Sequence, residues 1–147
     1  MYKRILVATD GSTLSRKAVK DAIALGASLG AGLVALTVVP RYPMSYFEGG
    51  ASISPQEVGR IEKEWADRGQ AIVDAVQKSA EAAGLKAKAV VARSDLVANS
   101  ILAAAKKNKC DLIVMASHGR KGISRILLGS ETQQVLTHGG IPVLVLR

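Results

Sequence analysis

The chain has 147 residues, which suits one α/β domain and leaves little room for two. It is 48% hydrophobic but only 3% aromatic, with a net charge of +8; such aliphatic content can build a substantial core and fits helices packed on a parallel sheet. The lone Cys110 excludes an internal disulfide framework and a cysteine metal cluster, and reads as a small buried apolar residue in a reducing, cytoplasmic compartment.

Ile5-Leu6-Val7-Ala8 is a short apolar run ending in Thr9-Asp10-Gly11-Ser12, which predicts a buried first strand and a turn. Ala18, Ala22, Leu25 and Leu29 recur at helical spacing, so a helix is expected over about 13–29, with Gly30 as its left-handed cap. Leu33 to Val39 is a second buried strand, closed by Pro40, and Tyr42 to Ile53 is irregular. Residues 22–40 carry no charge and approach the length of a membrane span. Gly26, Ser28, Gly30 and Gly32 interrupt the run and divide it into helix and strand, so neither a membrane span nor, from the amino terminus, a secretory signal is expected.

Ser54-Pro55-Gln56-Glu57 has the form of a helix start: a capping serine, proline at the first position and a capping-box glutamate. Ile61, Trp65, Ile72, Val76 and Ala80 give this helix an apolar face, and Gly84 ends it. A third strand is expected over Ala87–Ala92, and a helix over Asp95–Lys107 with Leu96, Ile101, Leu102 and Ala105 on its buried side. A fourth strand follows over Leu112–Met115, then a helix from Ser130 to about His138 and a fifth strand over Pro142–Leu146. This alternation predicts a doubly wound, five-stranded parallel sheet in the order 3-2-1-4-5 with helices on both faces. In such sheets a ligand crevice lies at the carboxyl ends where the winding reverses, here between the ends of Ala8-Thr9-Asp10 and Met115-Ala116-Ser117.

The segment after the fourth strand carries the chemistry. Ala116-Ser117-His118-Gly119, nine residues and Gly129-Ser130 join that strand to a helix. Glycines let backbone amides approach an anion, and a helix start suits phosphate. Ser130-Glu131-Thr132-Gln133 matches a capping box, and Arg120, Lys121 and Arg125 add positive charge. An ordinary strand-to-helix loop whose glycines only make turns fits the same residues. No Gly-Lys-Ser/Thr of a P-loop occurs, and Gly30-Ala31-Gly32 lies after a helix and before a strand, the reverse of a dinucleotide fingerprint. Ser117 and His118 are adjacent, and no third member is placed to complete a triad.

Together these residues resemble the universal stress protein family. Its nucleotide pattern is glycine, two residues, glycine, nine residues, glycine and Ser/Thr. This chain matches it from Gly119 to Gly129-Ser130, with Ala116 at the first glycine position. Ile5 to Ser12, Asp111 to Arg120 and Ile141 to Val145 resemble the family's opening strand, fourth strand and last strand. The resemblance implies a single domain over residues 1–147 that binds ATP or another adenine nucleotide with Mg²⁺ or Mn²⁺. Asp10 would sit by the ribose or metal, Ala8 and Thr9 beside the base and Val38 against the adenine. Gly119, Gly129 and Ser130 would hold the phosphates, with Met115, Ala116, His118, Arg120, Glu131 and Thr132 around them. It also implies a homodimer through the last strand, residues 142–146, and a regulatory role with at most slow hydrolysis. A strand residue such as Ala116 has negative φ, so its methyl group is expected to be compatible with binding at a modest loss of affinity.

Two other classes stay open on the sequence: a dimeric interaction protein of the same fold without nucleotide, and a nucleic-acid-associated protein. Residues 101–147 hold seven Lys/Arg against two Asp/Glu, but no aromatic residue interleaves them, so a solvated basic surface is expected over specific nucleic-acid recognition.

Overall fold

The computed structural model describes residues 1–42, 54–119 and 128–147. In chain order the elements are β1 (Arg4–Ala8), α1 (Thr13–Leu29), β2 (Gly32–Val39), α2 (Pro55–Ala82), β3 (Ala87–Arg93), α3 (Val97–Lys107), β4 (Leu112–Ala116), α4 (Ser130–His138) and β5 (Val143–Leu146). The five strands form one parallel sheet in the order β3-β2-β1-β4-β5, as the alternation of elements predicts. The irregular segment expected to follow Tyr42 lies, from residue 43 to 53, outside the described residues.

Strand residues point alternately to opposite faces, and that parity divides the core in two. Ile5, Val7, Leu33, Ala35, Leu112 and Val114 pack against α1 and α2 through Ala18, Ala22, Val73, Val76 and Ala80. Leu6, Val34, Leu36, Ile113 and Met115 pack against α3 and α4 through Ala98, Ile101, Ala105 and Val135. A sheet apolar on both faces must be covered on both, which is why these strands read as continuous aliphatic runs.

Local chemistry sets the helix ends. Ser12 caps α1 by accepting from the Ser15 amide, and Gly30 closes it at φ 67° with its amide on the Gly26 carbonyl. Ser54 caps α2, its hydroxyl accepting from the Glu57 amide at 3.2 Å. The reciprocal half of the expected capping box is replaced: the Glu57 carboxylate accepts from Arg60 Nη2 at 2.6 Å. Helix α3 starts two residues later than expected. Asp95 lies before it and accepts from the Arg41 amide at 3.1 Å, and Leu96, expected on the buried side, is 63% exposed.

Cys110 is buried just before β4. Burial pushes its thiol up to about 11, against the opposing pull of Arg4, so at neutral pH it is a protonated packing group. Among the described residues no helix is long and apolar enough to cross a membrane.

Helix α2 approaches the sheet closely at Gly69. A methyl group there would stand 2.8 Å from Val39 Cγ1 and 3.1 Å from Thr37 Cγ2. Replacing helical glycine by alanine gains about 1 kcal/mol of propensity, whereas overpacking a close helix–sheet contact costs about 1–3 kcal/mol. Gly69→Ala is expected to lower stability slightly in chemical denaturation, and Gly69→Val by about 2 kcal/mol or more. A stabilised Gly69→Val would contradict this packing.

Candidate functional site

Two cavities lie at opposite ends of the sheet. The one at the amino ends, about 550 Å³, is lined in part by Lys3, Arg4, Lys86 and Lys88. Its wall includes Gly26, Gly30, Ala83 and Gly84 at the carboxyl ends of α1 and α2. Lysines beside the negative ends of helix dipoles are explained by those dipoles, and Arg4 and Lys88 already donate to Asn108.

The second cavity, about 970 Å³, opens at the carboxyl ends of β1, β2 and β4, where the winding reverses. Its lining contains Ala8, Thr9, Asp10, Val38, Met115, Ala116, His118, Gly119, Gly129, Ser130, Glu131 and Thr132. The structure therefore brings these sequence-predicted residues together around one space. Arg120, also predicted, and Lys121 and Arg125 lie outside the described residues.

One pole of this cavity is built from loop ends. After β1 the chain turns at Gly11, φ 79°, and Asp10 Oδ1 accepts from the Ser12 amide at 2.9 Å. Thr9 is buried, with its hydroxyl 2.9 Å from that of Ser15 and accepting from the Gly11 amide, so it ties the end of β1 to α1. Gly119 lies against Asp10: a methyl group on it would stand 2.7 Å from Asp10 Oδ2. Gly129 donates its amide to the Ser117 carbonyl at 2.7 Å, and a methyl group on it would meet that oxygen at 3.0 Å and His118 Cα at 3.1 Å. Both glycines therefore sit too close to the strand ends for a side chain, a packing reason beyond the approach of a ligand.

Helix α4 then begins at Ser130 with Gly129 as its N-cap and no side-chain cap. The capping box expected from Ser130 to Gln133 does not form. Ser130 donates to Glu131 Oε2 at 3.0 Å, and Gln133 Nε2 donates to the Leu128 carbonyl at 2.7 Å. An N-terminus without a side-chain acceptor keeps first-turn amides and a positive dipole end for an anion. Thr132 is 2% exposed, and its hydroxyl donates to the Ala116 carbonyl at 3.0 Å. Its hydroxyl thus holds α4 to the end of β4.

The other pole is flat and apolar, with a polar edge. The Thr9 amide donates to the Leu36 carbonyl, and the Ser94 amide to the Val39 carbonyl. Backbone groups of successive strand residues point to opposite neighbours, so those of Val38 face the β1 side. The chain of β1 has already turned away there, and among the described residues Val38 has no backbone partner on that side. A donor and an acceptor, one residue's N–H and C=O, thus border the cavity.

Sequence reasoning missed one wall. Trp65, Arg68 and Ile72 of α2, with Ser94 and Asp95 after β3, also line the cavity. Trp65 and Ile72 follow the apolar periodicity of α2, and periodicity does not separate residues facing a core from residues facing a cavity. Trp65 stacks on Tyr42 with ring centroids 6.1 Å apart.

Ser117 Oγ and His118 Nδ1 lie 3.2 Å apart. Ser117 is buried, and among the described residues no carboxylate is bonded to His118. Among them there is also no group of three or more His, Cys, Asp and Glu side chains able to hold a metal ion. Chemically the cavity suits an elongated ligand with an anionic end at Gly119–Ser130 and a flat hydrogen-bonding end at Val38.

Thr132→Val is expected to strip the Ala116 carbonyl of a buried donor while keeping the side-chain shape. It should cost about 1–3 kcal/mol in denaturation experiments; unchanged stability would mean that this bond does not hold α4.

A family model described as the universal stress protein family matches residues 1–147. A universal stress protein of Methanocaldococcus jannaschii is 36% identical over 147 residues, covering 100% of this chain and 83% of the relative. A second protein of that organism, whose structure served to assign its biochemical function, superposes with a TM-score of 0.83 at 26% identity, covering 99% of this chain and 96% of the other. A universal stress protein crystallised in complex with cAMP superposes with a TM-score of 0.69 at 26% identity, covering 99% and 97%. The match extends over every element described above, and the chain belongs to the universal stress protein family.

Proposed function

We propose that this protein binds an adenine nucleotide, ATP with Mg²⁺ or Mn²⁺, in the cavity at the carboxyl ends of the strands, and acts as a homodimeric stress-response regulator with at most slow hydrolysis. The observation that carries the reading is the pairing of two unlike poles in one cavity of about 970 Å³. An uncapped helix start lies at one end, and the backbone N–H and C=O of Val38 at the other. The first suits phosphate; the second matches the donor and acceptor edge of an adenine. The cAMP complex of a relative supports the same ligand class.

In this reading Ser130 and Glu131 present first-turn amides to the phosphates, with Gly129 as the cap that starts the helix and Gly119 beside Asp10. Ala8, Met115 and Val38 flank the ribose and base. The donor set fits a divalent ion carried in by the nucleotide, since Mg²⁺ is held by one or two carboxylates together with phosphates and water. Asp10, which lines the cavity, would join that shell or accept from ribose hydroxyls. When bound, the metal would neutralise phosphate charge. Ala116, at the first glycine position of the family pattern, ends β4 without a positive φ. An alanine methyl therefore adds no backbone strain there, which weighs against the nucleotide-free alternative. No activated nucleophile or partnered base accompanies the cavity among the described residues, so the reading is of binding and regulation.

Calorimetry with ATP and Mg²⁺ is expected to show saturable heat. Gly119→Val, which drives a branched side chain into Asp10, is expected to weaken binding at least about tenfold, on the order of 1.4 kcal/mol, with the fold retained by circular dichroism. Absence of saturation by wild type at millimolar ATP would sink the nucleotide reading and favour the nucleotide-free dimer.

The dimer proposal rests on β5. Among the described residues this strand is the outermost of the sheet and pairs only with β4, and its Leu144 is 38% exposed. An apolar edge invites pairing with another strand, and antiparallel pairing of two copies about a two-fold axis would close it. Light scattering at micromolar concentration is expected to give twice the chain mass, and Leu144→Lys to shift the population toward monomer. A wild-type monomer would remove this proposal.

A further inference from the structure

We infer that Asp95 is a base-specificity determinant of this cavity: its carboxylate accepts from the exocyclic amine of adenine and excludes guanine. The inference rests on the nucleotide reading above and deepens it. The phosphate end lies at the tips of β1 and β4, and the Val38 edge lies one strand further, at the tip of β2. Asp95 follows β3, the next strand again. Strands are about 4.8 Å apart, so a ligand extended from β4 along the sheet edge brings its far end to the Ser94–Asp95 turn after about three strand spacings.

That turn is tied down. Its Ser94 amide donates to the Val39 carbonyl at 3.0 Å, and Asp95 Oδ1 accepts from the Arg41 amide at 3.1 Å. Asp95 lines the cavity, and among the described residues no salt bridge engages its carboxylate. Arg68, on the facing wall of α2, is the other charged side chain at this end and likewise makes no salt bridge among the described residues.

An ionised carboxylate only accepts hydrogen bonds. Adenine presents an N6 amine donor beside its N7 acceptor, whereas guanine presents O6 and N7, both acceptors. Asp95 therefore welcomes adenine at N6 and repels guanine at O6. Arg68 can donate to N7, which both purines share, and adds affinity without choice between them.

The test compares ATP with GTP by calorimetry, each with Mg²⁺, on wild type, Asp95→Asn and Asp95→Ala. Asparagine keeps an oxygen for the Arg41 amide and replaces the other with an NH₂ donor, so the turn is preserved while its hydrogen-bonding character toward the base is inverted. Wild type is expected to prefer ATP by about tenfold or more. Asp95→Asn is expected to narrow that preference through both weaker ATP and stronger GTP binding, and Asp95→Ala to narrow it through weaker ATP binding and a smaller gain for GTP, the share set by Val38 remaining. Thermal melts of the variants report whether the turn survives. An ATP/GTP ratio in Asp95→Asn equal to that of wild type, with ATP still bound, overturns this inference and leaves the nucleotide reading standing. Equal binding of ATP and GTP by wild type overturns it as well. Failure of wild type to bind either nucleotide overturns the nucleotide reading and this inference with it.

Discussion

The pairing of β1 with β4 is the contact on which the rest of the molecule depends. It is the one junction in the sheet between strands distant in sequence, with Ile5, Leu6 and Val7 set against Leu112, Ile113 and Val114. A carboxylate pins its start: Asp111 accepts from the amides of Lys3 and Arg4 at 2.9 and 3.0 Å. Desolvation opposes ionisation there, but the backbone hydrogen bonds from Lys3, Arg4 and Asp111 itself, with the charge of Lys3, outweigh it and hold the Asp111 carboxyl below the usual range. A group so depressed contributes stability that is complete above its unfolded pKa and fades as pH falls through the folded one. On either side of this junction the chain winds outward in opposite directions, so the crossovers diverge and leave the strand tips uncovered. The cavity is the space that this divergence leaves.

How that space is walled follows from where hydroxyls and glycines fall. Thr9 and Thr132 look like ligand contacts in the sequence, yet their hydroxyls are engaged with the protein itself, Thr9 with Ser15 and Thr132 with the Ala116 carbonyl. They brace the tips of β1 and β4. Gly119 lies against Asp10, and Gly129 against the Ser117 and His118 backbone. With the scaffold committed to itself, backbone amides at α4 and backbone groups at Val38 are left for a ligand. Such a site depends on chain geometry more than on particular side chains, which is consistent with Ala116 standing where the family pattern has glycine.

The strand order and the position of the crevice were legible in the sequence because they rest on alternating aliphatic runs and glycine-punctuated helices, signals that survive in one chain read alone. The elements departed from expectation where a single side chain chose between two partners. Glu57 pairs with Arg60 instead of returning to the Ser54 amide, and Asp95 caps the Arg41 amide instead of opening α3. Leu96 is left exposed as a result. Of the residues lining the cavity, those adjacent to the strand tips were named from motif, topology and the family resemblance, whereas Trp65, Arg68 and Asp95 were not. They reach the cavity from a helix and a loop distant in sequence, and Trp65 and Ile72 have the same heptad-like spacing as residues that face the core.

The placement of Gly69 has a consequence for the wall of that cavity. Gly69 touches Thr37 and Val39 at the very end of β2, so the portion of α2 before it, residues 55–68, projects past the sheet, a reach of about 21 Å at 1.5 Å per residue. No residue of that projection is fully buried; among the described residues it is tied back by the Trp65–Tyr42 stack and by the Tyr42 amide donating to Glu62 at 3.2 Å. The three salt bridges among the described residues, Arg60 with Glu57 and Glu64 and Lys63 with Asp67, all lie along it. A helix supported by exposed ion pairs at three- and four-residue spacing is supported by something that dissolved salt screens. Part of what steadies the rim carrying Trp65 is therefore open to screening by salt, whereas the braces at the tips of β1 and β4 are uncharged hydroxyl bonds that salt does not screen.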